Sequence, residues 1–177
     1  MIKLGQGAIV YQPVSIVDDS RHIIDIGRNC RIGQFTFIGA RNLKMKEGAE
    51  IGPCVVIAGG GNVIMREHST VNYHCTIIPG TFTTEGEYMN DVVYDKSVSV
   101  EGSIDIGAGA YIGSNAVICV SRKNPHIHIG ERAVVGSLSY VDHDVEANTI
   151  VHPKMVFEVS KRRPCASAMK ASKNREM

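Results

Sequence analysis

Among seven histidines in this chain, His68 and His74 stand six residues apart in "REHSTVNYHCTI". An imidazole titrates near neutrality, so it can take a proton from an attacking hydroxyl or amine and later return it. Just downstream, "IPGTFTTEGEYMNDVVYDKSV" carries Glu85, Glu87, Asp91 and Asp95 together with Tyr88 and Asn90. A carboxylate can orient such a histidine and stabilise its charged form. Of these carboxylates, Glu85 is chosen as the partner of His74. Basic residues fall in two places, Arg122 and Lys123 in "SRKNP" and Lys161, Arg162 and Arg163 near the end. Both runs suit phosphate contact, and both also suit a solvated surface. Zinc would need three or more ligands, and no HxxxxH spacing follows His74.

The elements that hold these residues are set by a period of six. Large apolar residues recur as Ile26, Ile32, Ile38, then Met45, Ile51, Ile57, then Met65, Val71, Ile77. Two more ladders follow, Ile106, Ile112, Ile118 and Ile129, Val135, Val141. A smaller residue often precedes the large one by two places, as Cys30, Thr36, Ala49, Ser69, Cys75, Ala110 and Ala133 do. A helix requires a spacing of three to four, and a long strand would alternate at two throughout. Six is the spacing of a short strand followed by a corner. Three such units close a triangular coil of roughly 18 residues, and stacked coils share one aliphatic core. The largest break in the pattern is the polar stretch 79–97, read as a loop thrown from a coil corner. A loop of that length in a compact domain usually has a function or is disordered. By this register Cys75 points inward and His74 outward, one coil from Asn115. His68 points outward beside the inward Ser69.

Bulk properties exclude several classes. The formal charge is +1 over 177 residues, so no strong field favours nucleic acid or a membrane surface. No run approaches a membrane span, and the first residues are not those of a signal peptide, which implies the cytoplasm. The five cysteines lack a CxxC pair, so a disulfide framework is not expected.

The segments "IGRNCRIG", "AEIGPCVVIAG", "IDIGAGAYIGSNAVI" and "IHIGERAVVGSLSYVDHDVEANTIV" resemble the hexapeptide-repeat acyltransferases over roughly residues 8–157. The resemblance implies an all-β, left-handed parallel β-helix of about five to seven coils. It gives a domain over 1–157 with its loop at 79–97, followed by a basic tail or short helix at 158–177. It also implies acetyl-CoA as acyl donor without a metal, a homotrimer with sites between subunits, and a sugar or nucleotide-sugar acceptor. The hydroxyl of a sugar is the first acceptor expected, by direct attack with His74 as general base and His68 as alternative. An amino-sugar is the second. The galactoside and maltose acetyltransferases usually draw the histidine from the excursion, and this excursion has none. That departure favours the amine, which attacks more readily. Asn72, Tyr88 and Asp95 are the expected sugar contacts. Tyr111, Gly113, Ser114, Asn115, Gly136, Ser137, Lys161 and Arg162 are expected to line the cofactor groove. The small loop that usually follows the last coil is replaced by "HPKMV". The same coil also carries γ-type carbonic anhydrases and could serve as a silent scaffold. Neither fits the residues as well.

Overall fold

The computed structural model describes residues 1–17, 19–82 and 99–154. The first coil is formed by β1 (Ile2–Leu4), β2 (Ile9–Val10) and β3 (Ser15–Ile16). The second has β4 (Ile23–Ile26), β5 (Arg31–Ile32) and β6 (Phe37–Ile38). The third has β7 (Asn42–Met45), β8 (Glu50–Ile51) and β9 (Val56–Ile57). The fourth has β10 (Asn62–Met65), β11 (Thr70–Val71) and β12 (Thr76–Ile78). A two-stranded hairpin, β13 (Gly80–Phe82) and β14 (Ser99–Glu101), interrupts the winding here. The fifth coil resumes with β15 (Ser103–Ile106), β16 (Tyr111–Ile112) and β17 (Val117–Cys119). The sixth has β18 (His126–Ile129), β19 (Val134–Val135) and β20 (Tyr140–Val141), and β21 (Ile150–Val151) begins a partial seventh.

Each strand pairs in parallel with its equivalent one coil on, giving sheets of six, seven and six strands. The molecule is a parallel β-solenoid of about six turns, as the period implies, and it matches the left-handed β-helix that the family resemblance implies. Every member of the five ladders is buried, and so are the small residues Cys30, Thr36, Ala49, Ser69, Cys75, Ala110 and Ala133. Full burial of one such aliphatic chain is worth about 1.5–3 kcal/mol, so the stacked ladders are the main source of stability. Two of the three buried polar side chains are satisfied locally, Thr36 Oγ1 donating to the Gly52 carbonyl at 3.1 Å and Ser69 Oγ to that of Arg66 at 2.7 Å, while the Ser139 hydroxyl has no protein partner among the described residues.

Corners, not strands, set the geometry of the surface. At the edge between the first and second sheets, one residue per coil takes a left-handed φ: Gly7, Asn29, Gly48, His68, Gly109, Arg132 and Asn148. At the edge between the second and third sheets the same conformation recurs in Phe35, Cys54, His74, Asn115 and Leu138. Backbone ladders continue through both corners, as in His68 N to Glu47 O at 3.0 Å and His74 N to Pro53 O at 3.1 Å. His68 and His74 are therefore corner residues of one coil on two different edges, each held by its own backbone.

The third edge, between the third and first sheets, ejects the excursion. Its stem is the antiparallel pairing Gly80↔Glu101, Thr81↔Val100 and Phe82↔Ser99, so it spans 80–101 rather than starting and ending at 79–97. Turn 121–124 bulges from the same edge, closed by Ser121 N to Asn124 O at 3.0 Å. The stem rests on glycine. A Cβ on Gly59, whose φ is +113°, would lie 1.9 Å from the Gly80 carbonyl oxygen. Gly59→Val should therefore cost about 1–3 kcal/mol of backbone strain and a similar amount of overpacking. Denaturant midpoints of the two proteins check this, and an unchanged midpoint would show that the stem is not seated as described.

Candidate active site

The stem is the natural origin of a site because it fixes where the polar excursion leaves and returns. Gly61 accepts from Arg41 N at 2.9 Å, and Gly102 N donates to Pro79 O at 2.8 Å, so the corner stays within the ladder. Arg41 then grips Glu101 with both nitrogens, at 2.7 and 2.5 Å. A bidentate pair of this type fixes geometry as well as charge. It ties the returning strand to a corner two coils below. A cavity of about 400 Å³ lies against the stem, lined by Gly59, Gly80, Thr81, Phe82, Ser99 and Glu101. A second, of about 230 Å³, lies beneath it among Arg21, His22, Arg41, Gly60 and Glu101. There His22 Nδ1 meets Asp19 at 2.5 Å, and that hydrogen bond is the main reason the Asp19 carboxyl sits well below the usual range.

His68 occupies the first–second edge among charges. Gly48 lies directly under its ring, where a Cβ would come 2.4 Å from His68 Nδ1. Glu47 next to that glycine is held by Arg28 through contacts of 3.1 and 2.7 Å. The Arg28 hydrogen bond lowers the Glu47 carboxyl, and the charges of Arg28 and His68 act in the same direction. His74 lies on the other corner, exposed, between exposed Tyr73 and the small side chain of Cys75, whose thiol is pushed up by burial. The outward reading of both histidines holds, as does the stacking of the Asn115 corner over Tyr73, with Asn115 N donating to Tyr73 O at 3.0 Å.

Asn72 and Tyr111 do come together. The Asn72 amide donates to the Tyr111 hydroxyl, and both face outward from the second sheet. Lower on that sheet, Tyr11, Arg31, Gln34, Glu50, Pro53 and Tyr73 border a groove of about 300 Å³. The backbone donors expected to serve a cofactor are largely committed to the ladder. Gly113 N donates to Val135 O at 2.7 Å and Gly136 N to Val151 O at 2.6 Å. A Cβ on Gly113 would lie 2.6 Å from Ser137 N, so this glycine is required first by coil packing. Ser114 is half-buried and Ser137 exposed at the second–third edge. Glu85, Tyr88, Asp95, Lys161 and Arg162 lie outside the described residues.

Sequence reasoning did not find the Arg41–Glu101 grip or the glycine seat under the stem. "AGGGN" at 58–62 was the available signal. It stands one coil before the excursion and has no aliphatic ladder reason to carry three glycines.

No family model matches the chain. A protein of Escherichia coli, dTDP-4-amino-4,6-dideoxy-D-glucose acyltransferase, is 27% identical over 146 residues, covering 78% of this chain and 73% of its own length. Among solved structures, AntD, an N-acyltransferase from Bacillus cereus in complex with dTDP and 3-hydroxybutyryl-CoA, superposes with a TM-score of 0.75 at 18% identity. That match covers 98% of this chain and 89% of AntD. The hexapeptide-repeat acetyltransferase VCA0836 from Vibrio cholerae matches at a TM-score of 0.50 and 21% identity, over 85% of this chain and 68% of its own. At these identities the two structures establish the shared fold.

Proposed function

We propose that this solenoid, wound as the hexapeptide-repeat acyltransferases are wound, moves an acyl group from coenzyme A to the amino group of a nucleotide-linked sugar. The observation that carries the reading is the match to a dTDP-amino-sugar acyltransferase across most of both chains. It favours the amine over the hydroxyl among the two acceptors expected from the sequence. Acetyl or a longer acyl group is compatible with it, since AntD was solved with 3-hydroxybutyryl-CoA.

The chemistry asks little of the protein beyond placement. The unprotonated amine attacks the thioester carbonyl carbon, a new C–N bond forms, and the C–S bond breaks to release the coenzyme A thiolate. The nitrogen gives up one proton to a base, and the thiolate is protonated from solvent. Holding both substrates in line supplies much of the rate. The base belongs to one of the two corner histidines, His68 or His74. Glu85 on the excursion is assigned to orient that base, and Asp95, with Tyr88 and Asn72, to the acceptor. Tyr111, Ser114, Asn115, Ser137, Lys161 and Arg162 are assigned to the donor. Three copies assemble, and the excursion of each reaches the next.

The test uses the full chain with acetyl-CoA or 3-hydroxybutyryl-CoA and dTDP-4-amino-4,6-dideoxyglucose. Thiol release and product mass are followed together. Stoichiometric amide product is expected, with the 4-hydroxyl analogue turned over at least about a hundredfold more slowly. Thiol release independent of the amino-sugar, or equal turnover of the hydroxyl sugar, would refute the reading.

A further inference from the structure

We infer that the groove on the lower half of the second sheet receives the nucleobase of the acceptor nucleotide. The inference rests on the amino-sugar reading above and extends it to the part of the acceptor that does not react. Aromatic rings wall the groove at both ends. Tyr11 follows β2 in the first coil and Tyr73 follows β11 in the fourth, three strand spacings or about 14 Å apart along the sheet. Their side chains are 46% and 54% exposed. Gly33, Ile51 and Pro53 form the floor between them, and Arg31, Gln34 and Glu50 complete the lining. The volume of about 300 Å³ is at the small end of the range for small-molecule sites. Tyr73 has a fixed seat. A Cβ on Gly52 would lie 3.3 Å from Tyr73 Cδ1, and Tyr73 N donates to Asn72 Oδ1 at 2.9 Å. A base stacks on such a ring through a face that every base has.

The charges in the groove are unusual for this surface. Arg31 and Glu50 are register partners on adjacent strands. Opposite charges so placed attract and ordinarily stabilise the pair of strands, yet these two form no ion pair. Every other described arginine is engaged. Arg21, Arg28, Arg41, Arg66 and Arg132 form ion pairs, and Arg122 also has a partner. The Arg31 donors and the Glu50 acceptors are therefore left, side by side, for a third group. A ring edge with an N–H beside an acceptor satisfies both: the N–H donates to Glu50, and Arg31 donates to the neighbouring carbonyl oxygen or ring nitrogen. The two charges cancel, so the groove suits a neutral ring rather than a phosphate.

Every nucleobase has such an edge, and the proposed reaction brings two nucleotides together, so position decides between them. Asn72 is assigned to the acceptor and Tyr111 to the donor, and the Asn72 amide donates to the Tyr111 hydroxyl. That contact marks where the two substrates meet. The remaining described donor residues, Ser114, Asn115 and Ser137, lie in the fifth and sixth coils, above it. The groove lies below it, in the first to fourth coils, and ends at Tyr73, the neighbour of Asn72. The acceptor therefore runs downward from Asn72, and its base, remote from the reacting amine, reaches the groove.

The test is titration calorimetry on the full chain with three probes: dTDP, its N3-methyl analogue and coenzyme A. The parent chain should bind dTDP at least about tenfold more tightly than the N3-methyl analogue, which has no N–H for Glu50. Tyr73→Ala should weaken dTDP by about tenfold to a hundredfold. Glu50→Ala should weaken dTDP to the level of the analogue, which it should bind as the parent does. Coenzyme A should bind equally to all three proteins, which also shows that the variants are folded. In turnover, the Michaelis constant for the amino-sugar nucleotide should rise by the same factors and that for acyl-CoA should not. A parent chain that binds no dTDP, or variants that bind it as the parent does, overturn the assignment. Variants that lose coenzyme A and keep dTDP overturn it too, and give the groove to the adenine of the donor. Amide formation alongside unaltered dTDP binding in the variants removes the groove and leaves the reaction standing. The expected binding changes without amide product leave the groove standing as a nucleotide site and refute the reaction.

Discussion

Replacing residues 83–98 by an Asn-Gly turn is expected to leave a folded solenoid that no longer transfers an acyl group. Phe82 and Ser99 are opposite partners in the stem, so a two-residue hairpin turn closes the gap without moving either strand. The coils on either side do not need the excursion. β10 pairs with β15, β11 with β16 and β12 with β17 directly across it. Shortening the loop lowers its closure entropy by on the order of 1–2 kcal/mol, so the melting temperature should hold or rise. Turnover should fall by about 10³-fold or more, since the removed stretch carries Glu85, assigned to orient the base, and Asp95, assigned to the acceptor, and misplaced reactants alone lose about 10²-fold. A shortened chain that keeps its turnover would move the site away from this edge.

The second large effect is expected from His68→Asn. Asparagine is the right replacement because the same edge already uses Asn29 and Asn148 at φ of 55° and 58°. The corner should keep its left-handed turn and the protein its stability, so any loss reports chemistry. If His68 is the base, kcat should drop by about 10²–10⁴-fold, and the acid limb of the pH–rate profile should flatten. The Michaelis constants should change little, because neither substrate is held by that proton transfer. Unchanged kcat in a trimeric His68→Asn protein would remove His68 from the reaction. The substitution also separates two explanations of inactivity, because loss of trimer would lower activity without altering the shape of the profile.

The solenoid was readable because its cause is local. An isoleucine at every sixth position must be buried, and six residues is the length of one side of the coil. The ladders at 26–38, 45–57, 65–77, 106–118 and 129–141 are all interior, and the outward direction of His68 and His74 followed from the inward Ser69 and Cys75. The excursion was readable for the converse reason, since it breaks the period. Beyond the stacking of the His74 and Asn115 corners, what depended on register across coils was not. Arg41 and Glu101 are sixty residues apart, and their grip exists only because the winding stacks their corners. Gly59 is needed because Gly80 arrives above it, a contact that no spacing rule contains. The glycines expected to offer N–H groups to a cofactor had already given them to the next coil.

By itself, then, the sequence determined the winding, the buried ladders and the place where the chain departs from them, because each is a consequence of neighbouring side chains partitioning between water and a shared interior. The tertiary structure decided which corner residues share an edge beyond the His74 and Asn115 pair. The line of left-handed corners through Phe35, Cys54, His74, Asn115 and Leu138 is a property of a column, assembled from residues about twenty apart and offset further by the excursion. Only stacked hydrogen-bond register fixes such columns.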